Sequence, residues 1–269
     1  MEVTYGVLVF IVGLAIGSYL NVCIFRIPKE DSTVFQPSRC PICNTRLKPV
    51  DLIPLLSYLL ARGKCRYCRQ KISPRYFLVE LLAGILSVVL YFQWGWTIDL
   101  AAFLFLSYVL IVVLFIDAEH MIIPDELVIA GLCAGGVLLI YNLFRPFQIY
   151  ADRNWWNPLL GLVIGSGFLL AVLLIGTALY KSDEVMGLGD VKLMAPIGLF
   201  LGWRMTLLAL FISVVLGGLF SLVLILIGRA TRKSVIPFGP FIVLGTLISI
   251  LWGWKIVHWY LEIGHIMLP

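Results

Sequence analysis

The sequence predicts an all-α polytopic membrane protein with about eight transmembrane helices and a small cytoplasmic zinc-binding insert. Hydrophobic residues make up 61% of the 269 residues and charged residues only 13%, and the mean hydropathy is +1.01. This composition separates the chain from ordinary soluble domains. Several apolar runs reach or approach the roughly 20 residues that a helix needs to cross a bilayer. One polar stretch, residues 26–75, interrupts these runs and holds four of the six cysteines.

The first apolar segment, residues 1–25, is predicted to be a retained transmembrane helix. Glu2 stands where a secretory signal carries basic residues, and no small-residue cleavage site precedes Arg26. Residues 26–75 form the predicted cytoplasmic insert, and residues 76–269 form the predicted membrane bundle. Within the insert, residues 52–61 are apolar but too few to span the bilayer, so we expect them at the membrane interface or packed on the bundle.

The remaining apolar segments follow in order through the bundle. Pro124 precedes the fourth segment, and proline is tolerated in a first helical turn. Gly13 and Gly17, four residues apart in the first segment, favour close packing against another helix. The later helices are expected at about residues 76–92, 100–116, 125–144, 158–180, 190–201, 205–227 and 237–254.

The basic residues are distributed unevenly between the two sides of the predicted bundle. Of the 20 Lys and Arg residues, 16 lie in or at the edge of the loops on one side, and 11 of these lie between Arg26 and Arg75. The positive-inside rule assigns that side to the cytoplasm and both termini to the outside. The net charge of +5 therefore reflects membrane orientation, and we expect no nucleic-acid partner.

Four cysteines form two CxxC pairs in the insert, Cys40 with Cys43 and Cys65 with Cys68. This spacing is close to that of tetrathiolate zinc sites, in which each pair supplies two ligands. Two disulfides are the structural alternative, but the topology assigns the insert to the reducing cytoplasm. A redox CxxC motif is another, although its βαβ context is missing. We predict structural zinc, because four thiolates leave no open position for a catalytic water.

Two aspartates, Asp117 and Asp190, each directly adjoin a long apolar run. Buried acids in such a chain are costly and are usually functional. Gly187 and Gly189 precede Asp190 and are expected to allow close approach of the backbone. Two carboxylates at low dielectric share a proton, so that one can activate water while the other polarises a carbonyl group. The spacing alone also allows an ion-coupled transporter.

The other acids near these segments have ordinary explanations. Asp125 and Glu126 lie in a first helical turn, where negative charge is favourable. Asp183 and Glu184 are expected in a solvated loop, and His120 at the membrane interface.

Several motifs, in order along nearly the whole chain, resemble the type IV prepilin leader peptidases, which are GxGD membrane aspartic peptidases. The resemblance rests on stretches spread through the chain, which are Gly17-Ser18-Tyr19-Leu20-Asn21-Val22, Arg26-Ile27-Pro28, the two cysteine pairs, Ser73-Pro74-Arg75-Tyr76, Val79-Glu80-Leu81, Ile116-Asp117, Ile123-Pro124-Asp125, Met186-Gly187-Leu188-Gly189-Asp190-Val191-Lys192-Leu193 and Ile236-Pro237-Phe238-Gly239-Pro240.

The resemblance implies that Asp117 and Asp190 are the catalytic pair of an inner-membrane enzyme. Such an enzyme removes the short basic leader of type IV prepilins or type II secretion pseudopilins at the cytoplasmic face. Long members of the family also methylate the new N-terminus with S-adenosylmethionine, an activity associated with the insert. Asn21, Gly63 and Glu80 are weak candidates for the cofactor site, since each also has a packing or turn explanation.

Two features depart from the family pattern. The loop between the fourth and fifth segments is longer than expected, and Glu119 stands where an aspartate is frequent. Glu119 and Asp183 could attract the basic leader. Three interpretations stay open at this point: a peptidase with methyltransferase activity, a peptidase alone with structural zinc, and a membrane transporter or assembly factor.

Overall fold

The computed structural model of the protein describes residues 2–152, 154–180, 187–231, 234 and 236–263. Within these residues it contains eight α-helices and no β-strand. The helices are α1 (Glu2–Arg26), α2 (Leu56–Leu60), α3 (Arg75–Trp94), α4 (Ile98–His120), α5 (Asp125–Phe144), α6 (Asn157–Tyr180), α7 (Leu188–Leu226) and α8 (Gly239–Ile263). The predicted all-α class is therefore confirmed.

Seven of the described helices are long and apolar enough to cross a membrane. The predicted segments 190–201 and 205–227 both lie within α7, which has 39 residues. A straight helix of that length would extend about 58 Å, nearly twice the roughly 30 Å hydrocarbon core. Gly202, with φ 68° and ψ 172°, breaks α7, so the two predicted segments correspond to its two halves. At the other end of the chain, α8 continues to Ile263, beyond the predicted end at residue 254.

The chain forms two compact units, Met1–Ile116 and Asp117–Pro269. In the first unit, α1 packs on α3 through the small residues that the sequence indicated. A Cβ atom on Gly17 would lie 2.8 Å from the Cα of Glu80, and one on Gly13 would overlap the hydroxyl of Ser87. These contacts confirm the predicted close packing and leave no room for larger side chains.

A buried arginine at the end of α1 organises the first part of the insert. The Arg26 guanidinium donates hydrogen bonds to the carbonyl oxygens of Ser32, Gln36 and Pro37, at 2.9, 3.0 and 3.2 Å. Three carbonyl acceptors satisfy the charged group, which is only 8% exposed. The chain is thereby folded back at the point where it leaves the predicted membrane span.

In the second unit, α7 packs against α5, α6 and α8. The backbones of α6 and α7 touch directly at Gly161 and Gly198, where a Cβ on either residue would overlap the backbone of the other. Glycine is required here by proximity, because no side chain fits between two helices in backbone contact.

The loop between α5 and α6, residues 145–156, packs against the break in α7 and contributes hydrogen bonds there. Tyr150 donates a hydrogen bond from its hydroxyl to the carbonyl of Leu199, at 2.5 Å. Asn157, the first residue of α6, accepts a hydrogen bond from the N–H of Trp203 at 3.1 Å and donates to Asp152 at 2.9 Å. Arg204 pairs with Asp152 at 3.1 Å. We call Tyr150, Asp152, Asn157 and Arg204 the kink cluster.

The kink cluster explains the length of this loop. A helix break frees backbone groups that must find partners when buried. The loop supplies Tyr150 and the start of α6 supplies Asn157 as those partners, and the loop also buries Phe147, Ile149 and Tyr150, each 1% exposed. The additional residues noted in the sequence therefore build a folded element of the second unit.

Candidate active site

Asp117 lies in the last turn of α4 and is 5% exposed. The helix ends because Met121 adopts a left-handed conformation, with φ 56°, and donates its N–H to the carbonyl of Asp117 at 2.8 Å. This left-handed end is a common way to satisfy terminal carbonyls. The carboxylate is thus fixed by helix geometry at a buried position.

Asp190 is the third residue of α7 and is 8% exposed. Its N–H donates to the carbonyl of Gly187, the residue that caps the helix, at 3.2 Å. The first turn of a helix carries unpaired N–H groups and the positive end of the dipole, which favour an acid there. The sequence therefore positions this second carboxylate through the start of α7.

The structure brings Asp117 and Asp190 close enough for their charges to interact. The backbone amide of Gly239, the first residue of α8, faces the Asp117 carboxylate. A Cβ on Gly239 would lie 2.5 Å from Oδ2 of Asp117. That oxygen is buried and makes no hydrogen bond within the described part of the chain. We call Asp117 and Asp190 the carboxylate pair.

The two glycines before Asp190 differ from each other. A Cβ on Gly189 would lie 3.1 Å from the Cβ of Ile123, so the predicted close approach is present there. At Gly187, φ is −71°, and the nearest atoms to a Cβ on this residue would be 3.9 Å away. Within the described residues, neither a left-handed backbone nor a close contact requires glycine at Gly187, so the expected close approach is not seen there.

The surroundings of the carboxylate pair carry further charge. Lys192 donates to both carboxylate oxygens of Asp125, at 2.8 and 3.1 Å, and so joins the starts of α5 and α7. Asp125 and Glu126 lie in the first turn of α5, as predicted. Glu119 and His120 are exposed. Asp183, Glu184 and Met186 lie outside the described residues.

A pair of buried acids beside a backbone N–H is suited to acid–base chemistry. Two carboxyl groups that share a proton can remove a proton from water and donate a hydrogen bond to a carbonyl oxygen at the same time. Oδ2 of Asp117 is buried and has no hydrogen bond of good geometry among the described residues, although the Gly239 amide faces the carboxylate. Such atoms are uncommon in folded proteins and call for an explanation.

The four predicted metal ligands lie together in the first unit. The sulfur atoms of Cys40, Cys43, Cys65 and Cys68 are all within 4.8 Å of one another, and those of Cys40 and Cys68 are 3.9 Å apart. A tetrahedral zinc ion with Zn–S bonds of about 2.3 Å requires sulfur atoms about 3.8 Å apart. Hydrogen bonding to Thr45 lowers the pKa of the Cys43 thiol to about 6, which favours the metal-binding thiolate. The arrangement can therefore hold a metal ion.

The three weak cofactor candidates have partners within the first unit. Glu80 accepts a hydrogen bond from the N–H of Leu55 at 2.8 Å. Gly63 has φ 66°, and a Cβ on it would lie 3.0 Å from the Tyr58 hydroxyl. Asn21 donates to the carbonyl of Tyr76 at 3.0 Å, while its Oδ1 is buried without a partner in the described chain. Glu80 and Gly63 thus have structural roles, and Asn21 retains one unpaired acceptor.

Sequence reasoning did not assign Gly239 to the site. The signal was present, since the stretch Ile236-Pro237-Phe238-Gly239-Pro240 was among the motifs that carried the resemblance. What explains this glycine is its contact with Asp117, a residue far from it in the chain. The ion pair of Lys192 with Asp125 was also unassigned, although both residues belong to quoted motifs.

Comparison with known proteins supports the interpretation of these motifs. Residues 11–94 match the bacterial peptidase A24 N-terminal domain, and residues 104–222 match the type IV leader peptidase family. Proteins named prepilin leader peptidase/N-methyltransferase are similar along their length. That of Aeromonas hydrophila is 37% identical, over 96% of this chain and 94% of its own.

Two further relatives with the same name come from other bacteria. The Bacillus subtilis protein is 34% identical, over 96% of this chain and 98% of its own. The Pseudomonas aeruginosa protein is 33% identical, over 94% of this chain and 92% of its own. No solved structure gave a significant match. On the family matches and these identities, the chain belongs to the type IV leader peptidase family, a family of membrane-bound enzymes.

Proposed function

We propose that this protein is an aspartic endopeptidase that removes the short basic leader from type IV prepilins or pseudopilins at the cytoplasmic face of the bacterial inner membrane. The observation that carries the proposal is the carboxylate pair. Asp117 and Asp190 come from different helices, are both buried, and interact electrostatically beside the backbone amide of Gly239.

The chemistry proceeds without a metal or a covalent intermediate. An ionised carboxylate removes a proton from water, and the water oxygen attacks the carbonyl carbon of the scissile peptide bond. The protonated partner donates its proton towards the carbonyl oxygen, which gives a neutral tetrahedral diol. The C–N bond then breaks as the nitrogen takes a proton from the carboxyl group that received it from water. A diol hydroxyl returns its proton to the other carboxylate, and the products are a carboxylic acid and a free amine.

The substrate assignment rests on the relatives and on charge. The relatives are named for prepilin leaders, and the positive-inside rule assigns the end of α4 and the start of α7 to the cytoplasm. A basic leader followed by an apolar helix would present its junction at that depth. Exposed Glu119 adds negative charge next to Asp117, which attracts a basic peptide.

A cleavage assay with purified protein in detergent and a pilin precursor tests the proposal. We expect Asp117→Asn and Asp190→Asn each to abolish leader removal. Asp99→Asn is the matched control, because Asp99 is another buried aspartate, 6% exposed, at the opposite end of α4. Cleavage by either carboxylate-pair variant at the wild-type rate would refute the assignment, and a transporter or assembly factor would release no leader at all.

We also propose that the protein methylates the new N-terminus and that the four-cysteine cluster holds zinc. The names of the relatives support the first activity, for which S-adenosylmethionine would supply the methyl group. The spacing of the four sulfur atoms supports zinc, and four thiolate ligands give it a structural role. Asn21, with its unpaired Oδ1, is the remaining cofactor candidate of the three.

Two measurements test the methyltransferase activity and the zinc site separately. Labelled S-adenosylmethionine should transfer its methyl group to cleaved pilin, and cleavage without transfer would leave a peptidase alone. Metal analysis should give about one zinc per chain for four cysteine ligands. Cys65→Ser should lower that content, while Cys133→Ser, which alters a cysteine outside the cluster, should not.

A further inference from the structure

The insert carries a set of apolar side chains that its own fold leaves uncovered. Ile53, Leu56, Leu59 and Leu60 are 44%, 56%, 56% and 75% exposed, and we call them the leucine face. The last three follow the spacing of one side of a helix, here α2. Isolated exposed leucines are ordinary on soluble proteins, but a contiguous group indicates an interaction surface.

The opposite side of the same segment is attached to α3. The N–H of Leu55 donates to Oε2 of Glu80 at 2.8 Å, and Glu80 is 8% exposed. The Tyr58 ring lies with its centroid 5.6 Å from that of Phe77. These two contacts fix α2 alongside α3, and they leave the leucine face directed away from it.

The positions of Phe77 and Glu80 give the depth of this attachment. The 20 residues of α3 correspond to about 30 Å of helix, which matches the hydrocarbon thickness of a bilayer. We therefore place one boundary of the hydrocarbon at Arg75, the charged first residue of α3. Phe77 and Glu80 are the third and sixth residues, so they lie about 3 and 8 Å beyond Arg75 along the helix axis.

The backbone conformation shows that the segment is held in place. Leu55 has φ 58° and ψ −50°, and a positive φ is unfavourable for a residue with a Cβ. Such a conformation persists only where the surrounding contacts impose it. The hydrogen bond from this same residue to Glu80 is one such contact, so α2 is held by specific bonds at this depth.

Basic residues follow the leucine face in the chain. Arg62, Lys64, Arg69 and Lys71 are exposed and lie between α2 and the start of α3. Basic residues next to a membrane-inserted segment are attracted to anionic headgroups of the cytoplasmic leaflet. The charge pattern therefore matches an anionic lipid surface.

From this depth, this attachment and these charges we propose that the leucine face is an interfacial anchor. Its four side chains lie among the acyl chains of the cytoplasmic leaflet, and the exposed basic residues meet anionic phospholipid headgroups. The segment does not span the bilayer, because α2 has only five residues. The inference depends on the membrane spans and not on the proposed peptidase reaction.

Photolabelling of the wild-type protein tests the anchor directly. The full chain is reconstituted in nanodiscs that contain phosphatidylglycerol and a phospholipid with a photoactivatable group in its acyl chain, and labelled residues are identified by mass spectrometry. We expect Leu56, Leu59 and Leu60 to be labelled several-fold more than Ile42. Ile42 is the internal control, because it is 59% exposed but lies in the first cysteine turn.

Two results would overturn the proposal. Labelling of the three leucines at the level of Ile42 would mean that they face water. Protection of the leucines from both the lipid probe and a water-soluble radical probe would mean that a protein partner or a second copy covers them.

A second measurement uses trypsin, which cleaves after Arg62 and Lys64. Cleavage there should be several-fold slower in phosphatidylglycerol nanodiscs than in phosphatidylcholine nanodiscs. The triple variant Leu56→Ser, Leu59→Ser, Leu60→Ser should lose this protection, while Ile42→Ser should keep it. Equal cleavage rates in the triple variant and the wild-type protein would contradict the anchor, and an unchanged melting temperature would show that the variant remains folded.

Discussion

Two polar clusters contact α7, one at its start and one at its break, and they differ in whether their polar groups have hydrogen-bond partners. The carboxylate pair is at the start of the helix, and the kink cluster is at Gly202, about 18 Å further along for 12 helical residues. In the kink cluster, the Asn157 amide both accepts and donates hydrogen bonds. In the carboxylate pair, Oδ2 of Asp117 is buried without a partner in the described chain.

We expect this difference to separate a cluster that stabilises the fold from one that acts on another molecule. Buried polar groups that are fully bonded hold a fold in one arrangement. Buried polar groups without partners reduce stability, and proteins retain them mainly at sites that act on another molecule. The comparison therefore predicts that changes to the two clusters affect different properties, activity for the first and stability for the second.

The largest expected effect is on catalysis by the carboxylate pair. Asp190→Asn should reduce the rate of leader cleavage by about 10²–10⁴-fold, the usual contribution of acid–base groups. Its melting temperature should not fall, because the amide has the same shape and removes the repulsion between two acids. Cleavage and thermal unfolding in the same detergent measure both properties. A loss of stability together with activity would contradict the separation.

The next effect is on stability at the kink cluster. Asn157→Leu should lower the free energy of unfolding by roughly 1–3 kcal/mol, since it leaves the half-buried N–H of Trp203 without its acceptor. Cleavage per folded molecule should change much less than in Asp190→Asn. Thermal unfolding measures the change.

Asn154→Leu serves as the control for that variant, because Asn154 is exposed in the same loop and its side chain should contribute little. If Asn157→Leu were as stable as Asn154→Leu, the kink cluster would not have a structural role.

A smaller effect is expected at Gly239. Gly239→Ala would introduce a Cβ 2.5 Å from Oδ2 of Asp117, and displacement of a catalytic group by about 1 Å can cost roughly 10²-fold in rate. Gly136→Ala is the matched control, since no atom of the described residues lies within 4 Å of a Cβ there. Cleavage kinetics measure both. Equal rates for the two variants would show that Gly239 does not position Asp117.

The smallest effect is expected from Lys192→Met. The Lys192 side chain is 50% exposed and that of its partner Asp125 is 62% exposed. Exposed ion pairs of this kind stabilise a protein by about 0.2–1 kcal/mol. Cleavage should therefore fall by less than about fivefold, and Lys192→Arg should retain the wild-type rate. A loss as large as that of Asp190→Asn would instead make Lys192 part of the catalytic machinery.

Much of the fold was predictable because membrane helices are encoded locally. Apolar runs identified the spans, and Pro124 marked the start of α5 within one residue. The four cysteines were predicted as one site from their spacing alone, and their sulfur atoms lie together. The sequence also singled out Asp117 and Asp190, and both are buried in the structure, at 5% and 8% exposed.

The features that sequence reasoning missed depend on contacts between distant residues. A break between residues 201 and 205 was expected. The hydrogen bond from the Trp203 N–H at this break to Asn157, 46 residues away in the chain, follows only from the packing of α6 on α7. The approach of Gly239 to Asp117 is likewise set by where α8 begins. At Gly187, by contrast, the motif suggested a close approach of the backbone that the described residues do not show.

The contact between Gly161 and Gly198 has a consequence for variation among related sequences. Neither residue carries chemistry, and yet a single methyl group at either would push α6 and α7 apart along their shared length. In a saturation mutagenesis experiment these two sites should therefore tolerate as few substitutions as the carboxylate pair. Intolerance to substitution at a position in this chain would thus reflect helix proximity as often as catalysis.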